Sequence, residues 1–229
     1  MKVSIIIPCF NEEKTISLVI NKILNSYNGE KEIIVIDDFS DDKTREILDS
    51  DLKNKINKII LNDKNYGKEF SIRKGINIAE GDIILIQDAD LEYDPSDYNK
   101  LIKPIEKGVA DVVYGSRFIG SEEKRVLYFW HMLGNKLLTL MSNMLTNLNL
   151  TDMEVCYKAF KSNIIKNIIL RENRFGFEPE ITAKIAKRKI RIYEVGVKYY
   201  GRTYQEGKKI TWRDGFSAIR CIIKYNIFN

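Results

Sequence analysis

The chain has 229 residues, 44% of them hydrophobic and 30% charged, enough for one large α/β domain, or one domain with an appendage, in an ordinary soluble composition. Three widely spaced cysteines, Cys9, Cys156 and Cys221, form no CxxC pair and exclude a disulfide framework; they read as reduced thiols in a cytosolic setting, and the single histidine, His131, argues against zinc held by imidazoles. The net charge of +5 conceals an asymmetry: residues 1–115 carry 16 Lys and Arg against 22 Asp and Glu, residues 116–229 carry 21 against 10, so two surfaces with different partners are expected.

The opening "MKVSIIIPCFNEE" has too short an apolar run for a signal peptide and lacks a small-residue cleavage pattern. Along the first 115 residues, "KVSIIIP", "KEIIVIDD", "NKIILND", "GDIILIQD" and "ADVVYGS" are short Ile- and Val-rich runs that predict buried strands. Between them, residues 13–26 place Ile16, Val19, Ile20, Ile23 and Leu24 on one helical face, and residues 69–79 repeat the pattern less cleanly. This alternation predicts a mostly parallel, doubly wound sheet flanked by helices, whose ligands bind beyond the carboxyl ends of the strands. Polar pairs stand at those ends: Asn11 and Glu12, Asp37 and Asp38, Asp88 and Asp90, Ser116 and Arg117.

The second half is less regular. Residues 126–148 carry a wide apolar helical face, interrupted by Asn135, Lys136, Ser142 and Asn143, which argues against a membrane span; a core helix and a helix lying on a bilayer both fit. "TWRDGFSAIRCIIKYNIF" has a similar character. There are no internal repeats and no low-complexity linker.

In "DIILIQDADLEYDP", Asp88 and Asp90 flank the small Ala89 and, in extended backbone, face the same side. Two carboxylates so close favour a cation between them; hard oxygen donors suit Mg²⁺ or Mn²⁺, with Glu92 as a further oxygen and diphosphate oxygens completing the shell. A solvated acidic turn capped by Asp94 or Ser96 is the plainer alternative for an isolated motif.

The ordered series "IIIPCFNEEKTI", "IIVIDDFSDDKT", "NYGKEFSIRKG", "IQDADLEYDP", "YGSRF", "TDMEVCYKAF", "FGFEPEITAKIAK" and "GRTYQEGKK" resembles the family 2 glycosyltransferases of GT-A fold, most closely the dolichol-phosphate mannosyltransferase-like branch. The resemblance spans nearly the whole chain and implies a single GT-A domain. Residues 1–115 would bind a nucleoside-diphosphate sugar and residues 116–229 the acceptor. It places Pro8, Phe10, Glu12, Asp37, Gly67, Lys68, Asp88, Ala89, Asp90, Arg202 and Lys208 around the nucleotide sugar. Arg117, Arg125, His131 and Asp152 fall on the acceptor side, and Asp88, Asp90, Arg117, Asp152 and Arg202 are the implied catalytic set.

The family pattern N-x-G-K-G-x-A-x-R-x-G meets Glu69 and Ser71 here, Cys156 replaces a usual glycine, and "FWHMLGN" stands where a second acceptor-binding arginine is common. In the resembling branch the acceptor is a polyprenyl phosphate, already anionic at neutral pH, so no base is required. Transfer to a hydroxyl acceptor with Asp152 as base is the rival within the class. A sugar-nucleotide pyrophosphorylase lacks support because "IPCFNEEKT" has no glycine, and an inactive binding module is the remaining alternative. The expected setting is cytoplasmic, peripheral on the cytosolic membrane face or bound to a membrane-anchoring subunit, with no nucleic-acid partner.

Overall fold

The structure is a computed structural model and describes residues 1–120, 123–126, 128–172, 176–202 and 212–228. The strands are β1 (Val3–Cys9), β2 (Lys31–Asp37), β3 (Lys58–Leu61), β4 (Ile83–Ile86), β5 (Val112–Ser116), β6 (Lys158–Lys161) and β7 (Ile192–Gly196). The helices are α1 (Ile16–Ser26), α2 (Thr44–Asp49), α3 (Lys68–Ile78), α4 (Tyr98–Glu106), α5 (Phe129–Thr146), α6 (Ser162–Ile165), α7 (Phe177–Ala186) and α8 (Trp212–Ile227).

All seven strands form one sheet in the order β3-β2-β1-β4-β6-β5-β7. Pairing is parallel between β1 and β2, β1 and β4, β2 and β3, and β5 and β7; β6 alone runs antiparallel, between β4 and β5. Every residue of β1 and β4 is buried, as continuous apolar runs require when helices cover both faces. Each fully buried Ile contributes about 1.5–3 kcal/mol relative to exposure. α3 lies close on the sheet because Gly75 has no side chain: a Cβ there would meet Ile6 Cγ2 at 2.5 Å and Ile36 Cδ1 at 2.9 Å.

The five strands expected from sequence are present; β6 and β7 are additional. The wide apolar helix, α5, departs from a core helix. Only Thr139 and Ser142 of its side chains are buried, while Trp130, Leu133, Leu137, Leu140 and Met144 lie exposed in one stripe. α5 packs on α7 and α8. Among the described residues no helix is long and apolar enough to cross a membrane.

The C-terminal helix is anchored through one acid. Glu172 pairs with Arg220 at 2.5 Å and Lys224 at 2.8 Å and accepts a hydrogen bond from the Tyr225 hydroxyl at 2.8 Å. Burial opposes its charge, but Lys224, Arg220 and Tyr225 together pull its carboxyl down to about 2, from 4.5. A depressed folded pKa gives stability that is complete above the unfolded value and is lost as pH falls toward 2. Replacing Glu172 with Gln is therefore expected to cost about 1–2 kcal/mol at pH 7, allowing for solvent screening of the half-exposed cations. Melting temperatures of parent and variant should converge between pH 4.5 and 2, and parallel curves over that window would contradict the assignment.

Candidate functional site

The carboxyl ends of β1, β2 and β4 each break into a turn containing a non-glycine residue in left-handed backbone: Asn11 (φ 55°), Phe39 (φ 70°) and Leu91 (φ 63°). Such residues cost roughly 1–2 kcal/mol each when they are neither Gly nor Asn, and they concentrate where side chains must be aimed. The expected crevice thus has strained turns on its rim.

β4 ends at Ile86, so Asp88 and Asp90 lie in the turn beyond it rather than in extended backbone, and Leu91 reverses the chain. Burial, then Asp88 and Glu92, push the Asp90 carboxyl up to about 7 despite the nearby Arg202 and Lys68. Cations answer each acid: Lys68 Nζ lies 2.5 Å from Asp88 Oδ1, and Arg202 Nη2 lies 2.8 Å from Asp90 Oδ2. Burial disfavours the Lys68 ammonium, but Asp88, Cys156 and Glu178 outweigh it and hold its pKa well above the usual range. Lys68 Nζ also donates to Cys156 Sγ at 3.2 Å. Arg202 reaches Glu12 at 3.7 Å as well.

This donor set fits a divalent ion of the magnesium or manganese kind: two hard carboxylates, crowded enough to raise one pKa and here balanced by Lys68 and Arg202. It does not fit a three-carboxylate cage. Glu92, expected as a further ligand, accepts from the Tyr199 hydroxyl at 3.0 Å and the Arg202 backbone N–H at 2.8 Å. Among the described residues no three His, Cys, Asp or Glu side chains converge to hold a metal. The left-handed turn at Leu91 carries Glu92 toward Tyr199 instead. Asp94 caps the turn Pro95–Asp97 through the Ser96 N–H at 2.9 Å.

On the side where the resemblance expects the nucleotide, Pro8 is buried at the end of β1, and Phe10 and Glu12 line the following turn, half-buried. Asp37 is fully buried: Arg45 Nε at 2.6 Å and the Ser40 N–H at 3.1 Å take its Oδ2, and its Oδ1 meets no hydrogen-bond partner among the described residues. Asp38 accepts from the N–H groups of Tyr66 (3.0 Å) and Gly67 (2.7 Å) and from Asn62 (2.8 Å). It pins the loop that launches α3. Gly67 sits there at φ 96°, a backbone open to glycine, and Lys68 follows as the first helical residue. Ala89 is buried between the two aspartates. Lys208 lies outside the described residues.

On the other side, Arg117 and Asp152 form a two-pronged pair: Nε to Oδ2 and Nη2 to Oδ1, both 2.6 Å. The Arg117 N–H adds 3.1 Å to Oδ2, and Asn135 Nδ2 adds 3.3 Å to Oδ1. Asp152 is fully buried with both oxygens engaged, so it orients Arg117 and is poorly placed to accept a proton. The guanidinium lies 5.2 Å from the Tyr199 ring centroid. Arg125 donates to the Gly201 carbonyl at 3.0 Å, and His131 is half-buried beside Tyr128, ring centroids 5.9 Å apart. Glu180 is structural: it accepts from the backbone N–H groups of Arg171 and Glu172 and pairs with Lys184.

Sequence reasoning missed three residues here. Lys158 is fully buried, 5.0 Å from the Tyr114 ring centroid, and donates to the Val155 carbonyl. Glu154, half-buried, is within electrostatic reach of Arg117, and the buried Glu178 is within reach of Lys68. Their only signal was position: Glu154 is two residues past Asp152, and Glu178 opens α7.

The chain is similar to proteins of known kind over most of its length. It is 30% identical over 212 residues to undecaprenyl-phosphate 4-deoxy-4-formamido-L-arabinose transferase of Photorhabdus laumondii, covering 90% of this chain and 62% of that one. It is 29% identical over 218 residues to dolichol-phosphate mannosyltransferase of Pyrococcus furiosus, covering 92% and 61%. The chain thus spans about three fifths of those relatives' length. Among solved structures, glucosyl-3-phosphoglycerate synthase from Mycobacterium tuberculosis, determined with Mn²⁺, UDP and phosphoglyceric acid, superposes with a TM-score of 0.77 at 17% identity, over 100% of this chain and 79% of that one. That likeness shows the fold. The model described as Glycosyl transferase family 2 matches residues 4–169, and the chain belongs to that family.

Proposed function

We propose that this chain transfers a sugar from a nucleoside-diphosphate sugar to a polyprenyl phosphate at a membrane surface. The observation that carries the reading is the pairing of the acidic turn Asp88–Asp90 with Lys68 and Arg202, together with a half-buried Arg117 held by Asp152. Asp88 and Asp90 would hold Mg²⁺ or Mn²⁺, which when bound neutralises charge on the departing diphosphate. Lys68 and Arg202, displaced from the carboxylates, are then available to phosphate oxygens. Arg117, fixed by Asp152 and Tyr199, supplies positive charge for an anionic nucleophile beside an anionic leaving group.

Transfer to a hydroxyl acceptor through Asp152 is disfavoured, because Arg117 and Asn135 already occupy its oxygens. The two named relatives act on undecaprenyl and dolichol phosphates by their names, which supports a lipid acceptor here. So does the exposed stripe on α5, together with exposed Phe216, Ile223 and Ile227 of α8 and Phe228 just after it: such a surface suits the headgroup boundary of a bilayer, making peripheral attachment the proposed location.

The test is one incubation series: GDP- and UDP-sugars with a short polyprenyl phosphate in anionic vesicles, with and without EDTA, and flotation of the protein in parallel. Lipid-linked product is expected with one donor class, abolished by EDTA and restored by Mn²⁺ or Mg²⁺, together with vesicle binding. Product only on hydroxyl acceptors, or undiminished product in EDTA, would overturn the reading.

A further inference from the structure

Beyond β7 the chain reads "VKYYGR", residues 197–202, and its backbone is tied on two sides. The Tyr199 N–H donates to the Glu123 carbonyl at 3.2 Å, and the Tyr199 carbonyl accepts from the Arg125 N–H at 2.8 Å. The Lys198 N–H donates to Asp97 Oδ2 at 2.7 Å and the Tyr200 N–H to the Glu92 carbonyl at 2.9 Å. Tyr199 is buried and packs on the buried Tyr93, ring centroids 5.2 Å apart. The chain then passes close over the Tyr199 ring, where glycine leaves room: a Cβ at Gly201 would meet Tyr199 Cε1 at 2.6 Å and Cζ at 3.0 Å. A ring enclosed in this way is held in place.

The two parts of that side chain meet different partners. The hydroxyl donates to Glu92 Oε2 at 3.0 Å, while Glu92 Oε1 accepts from the Arg202 backbone N–H at 2.8 Å. The ring centroid lies 5.2 Å from the Arg117 guanidinium carbon, within the range of a cation–π contact. Arg117 is already gripped by Asp152 through two nitrogens. Arg202 is not: it meets Asp90, Glu92 and Glu12 through one nitrogen each, at 2.8, 3.6 and 3.7 Å. Its Nε makes no hydrogen bond among the described residues. The hold of Glu92 on its backbone is therefore the firmer constraint on where Arg202 starts. Phenylalanine would satisfy the packing alone; the hydroxyl is spent on the one carboxylate that fixes Arg202.

We propose that Tyr199 is a positioning residue that places Arg202 and Arg117 relative to each other: its hydroxyl steadies Glu92, and through it Arg202, while its ring backs Arg117. This inference rests on the reading above, in which Arg202 serves the diphosphate and Arg117 the attacking phosphate, and adds that the two cations share one support. Positive charge stabilises a transition state to the extent that it is held where negative charge develops, so a common anchor sets the spacing of both reacting groups.

The experiment combines calorimetric binding of UDP and GDP in the presence of Mn²⁺ with transfer kinetics on a short polyprenyl phosphate, using the full chain. Tyr199→Phe keeps the ring and loses the hydroxyl; it should weaken nucleotide binding about five- to tenfold and leave the acceptor KM within about twofold of the parent. Tyr199→Leu also loses the ring and should raise the acceptor KM by about threefold or more. Because the hydroxyl acts through Glu92, the double variant Glu92→Ala with Tyr199→Phe should bind nucleotide within about twofold of Glu92→Ala alone. Should the leucine variant fail to fold, the phenylalanine variant and the double variant decide, since a tyrosine that only fills space would produce neither the split nor the non-additivity. Unchanged nucleotide binding in Tyr199→Phe, equal losses for nucleotide and acceptor in that variant, additive losses in the double variant, or an unmoved acceptor KM in a folded Tyr199→Leu each overturn this inference while leaving the donor reading in place. A parent that binds neither UDP nor GDP overturns the donor reading itself, and this inference with it.

Discussion

Replacing Asp90 with Asn should lower turnover at least about a thousandfold, equivalent to about 4 kcal/mol of transition-state stabilisation, while the protein stays folded. The asparagine keeps the size of the side chain and an oxygen for Arg202, whose 2.8 Å contact it can retain as an ordinary hydrogen bond. What disappears is one of two negative charges that would hold the divalent ion. The loss should thus appear in cation-dependent nucleotide binding: Mn²⁺ titrated in the presence of UDP or GDP should bind far more weakly to the variant. Asp88→Asn should behave alike, with Lys68 released from its 2.5 Å partner. Parent and variants should share a melting temperature within a few degrees, because removing a charge from a crowded acidic turn relieves repulsion while it loosens an ion pair. Turnover within tenfold of the parent in either variant would mean that the carboxylates are a capped turn and nothing more.

The second large effect concerns stability first. Asp152→Ala would leave the Arg117 guanidinium buried without its counter-charge, and breaking a buried pair from one side costs about 3–5 kcal/mol. For a chain of this size the melting temperature should fall by about 6–20 °C. Asp152→Asn should lose less, since Oδ1 can still accept from Arg117. If Asp152 orients Arg117, the asparagine variant should show a raised KM for acceptor and a modest fall in kcat, and the pH profile should stay in place. A proton-accepting Asp152 predicts the reverse: normal melting, collapsed kcat and loss of the alkaline plateau. The double variant Arg117→Met with Asp152→Leu should recover most of the stability lost by Asp152→Ala and remain inactive. That separation of folding from turnover is the outcome a purely structural pair cannot produce.

Much of this site could be read from the linear chain because its parts are local. The strand ends carry their polar residues within a few positions of an Ile-rich run, and "DAD" needs no tertiary knowledge to be recognised as two crowded acids. The pairings that decide what those residues do are not local. Arg202 reaches Asp90 across 112 positions and Arg117 reaches Asp152 across 35, so neither follows from periodicity or spacing. Asp37 illustrates the limit: its place at a strand end was legible, but Arg45, eight residues on, had already claimed its Oδ2. β6 escaped notice because its apolar run is short and includes Lys158, whose burial depends on the Tyr114 face opposite. β7 escaped because it is a half-buried edge strand. The periodicity of α5 showed an apolar stripe; only its packing on α7 and α8 shows that the stripe faces outward.

The antiparallel β6 also bears on how the protein could be divided. Although the chain reads as a donor half followed by an acceptor half, a strand from the second half lies between β4 and β5, both from the first. A fragment ending near residue 115 would bare the hydrogen-bonding edges of two apolar strands that stand apart in the finished sheet, a template for aggregation. Chimeras that exchange acceptor specificity therefore cannot be cut at the midpoint. A workable graft has to replace surface loops and leave this interleaved ribbon in place.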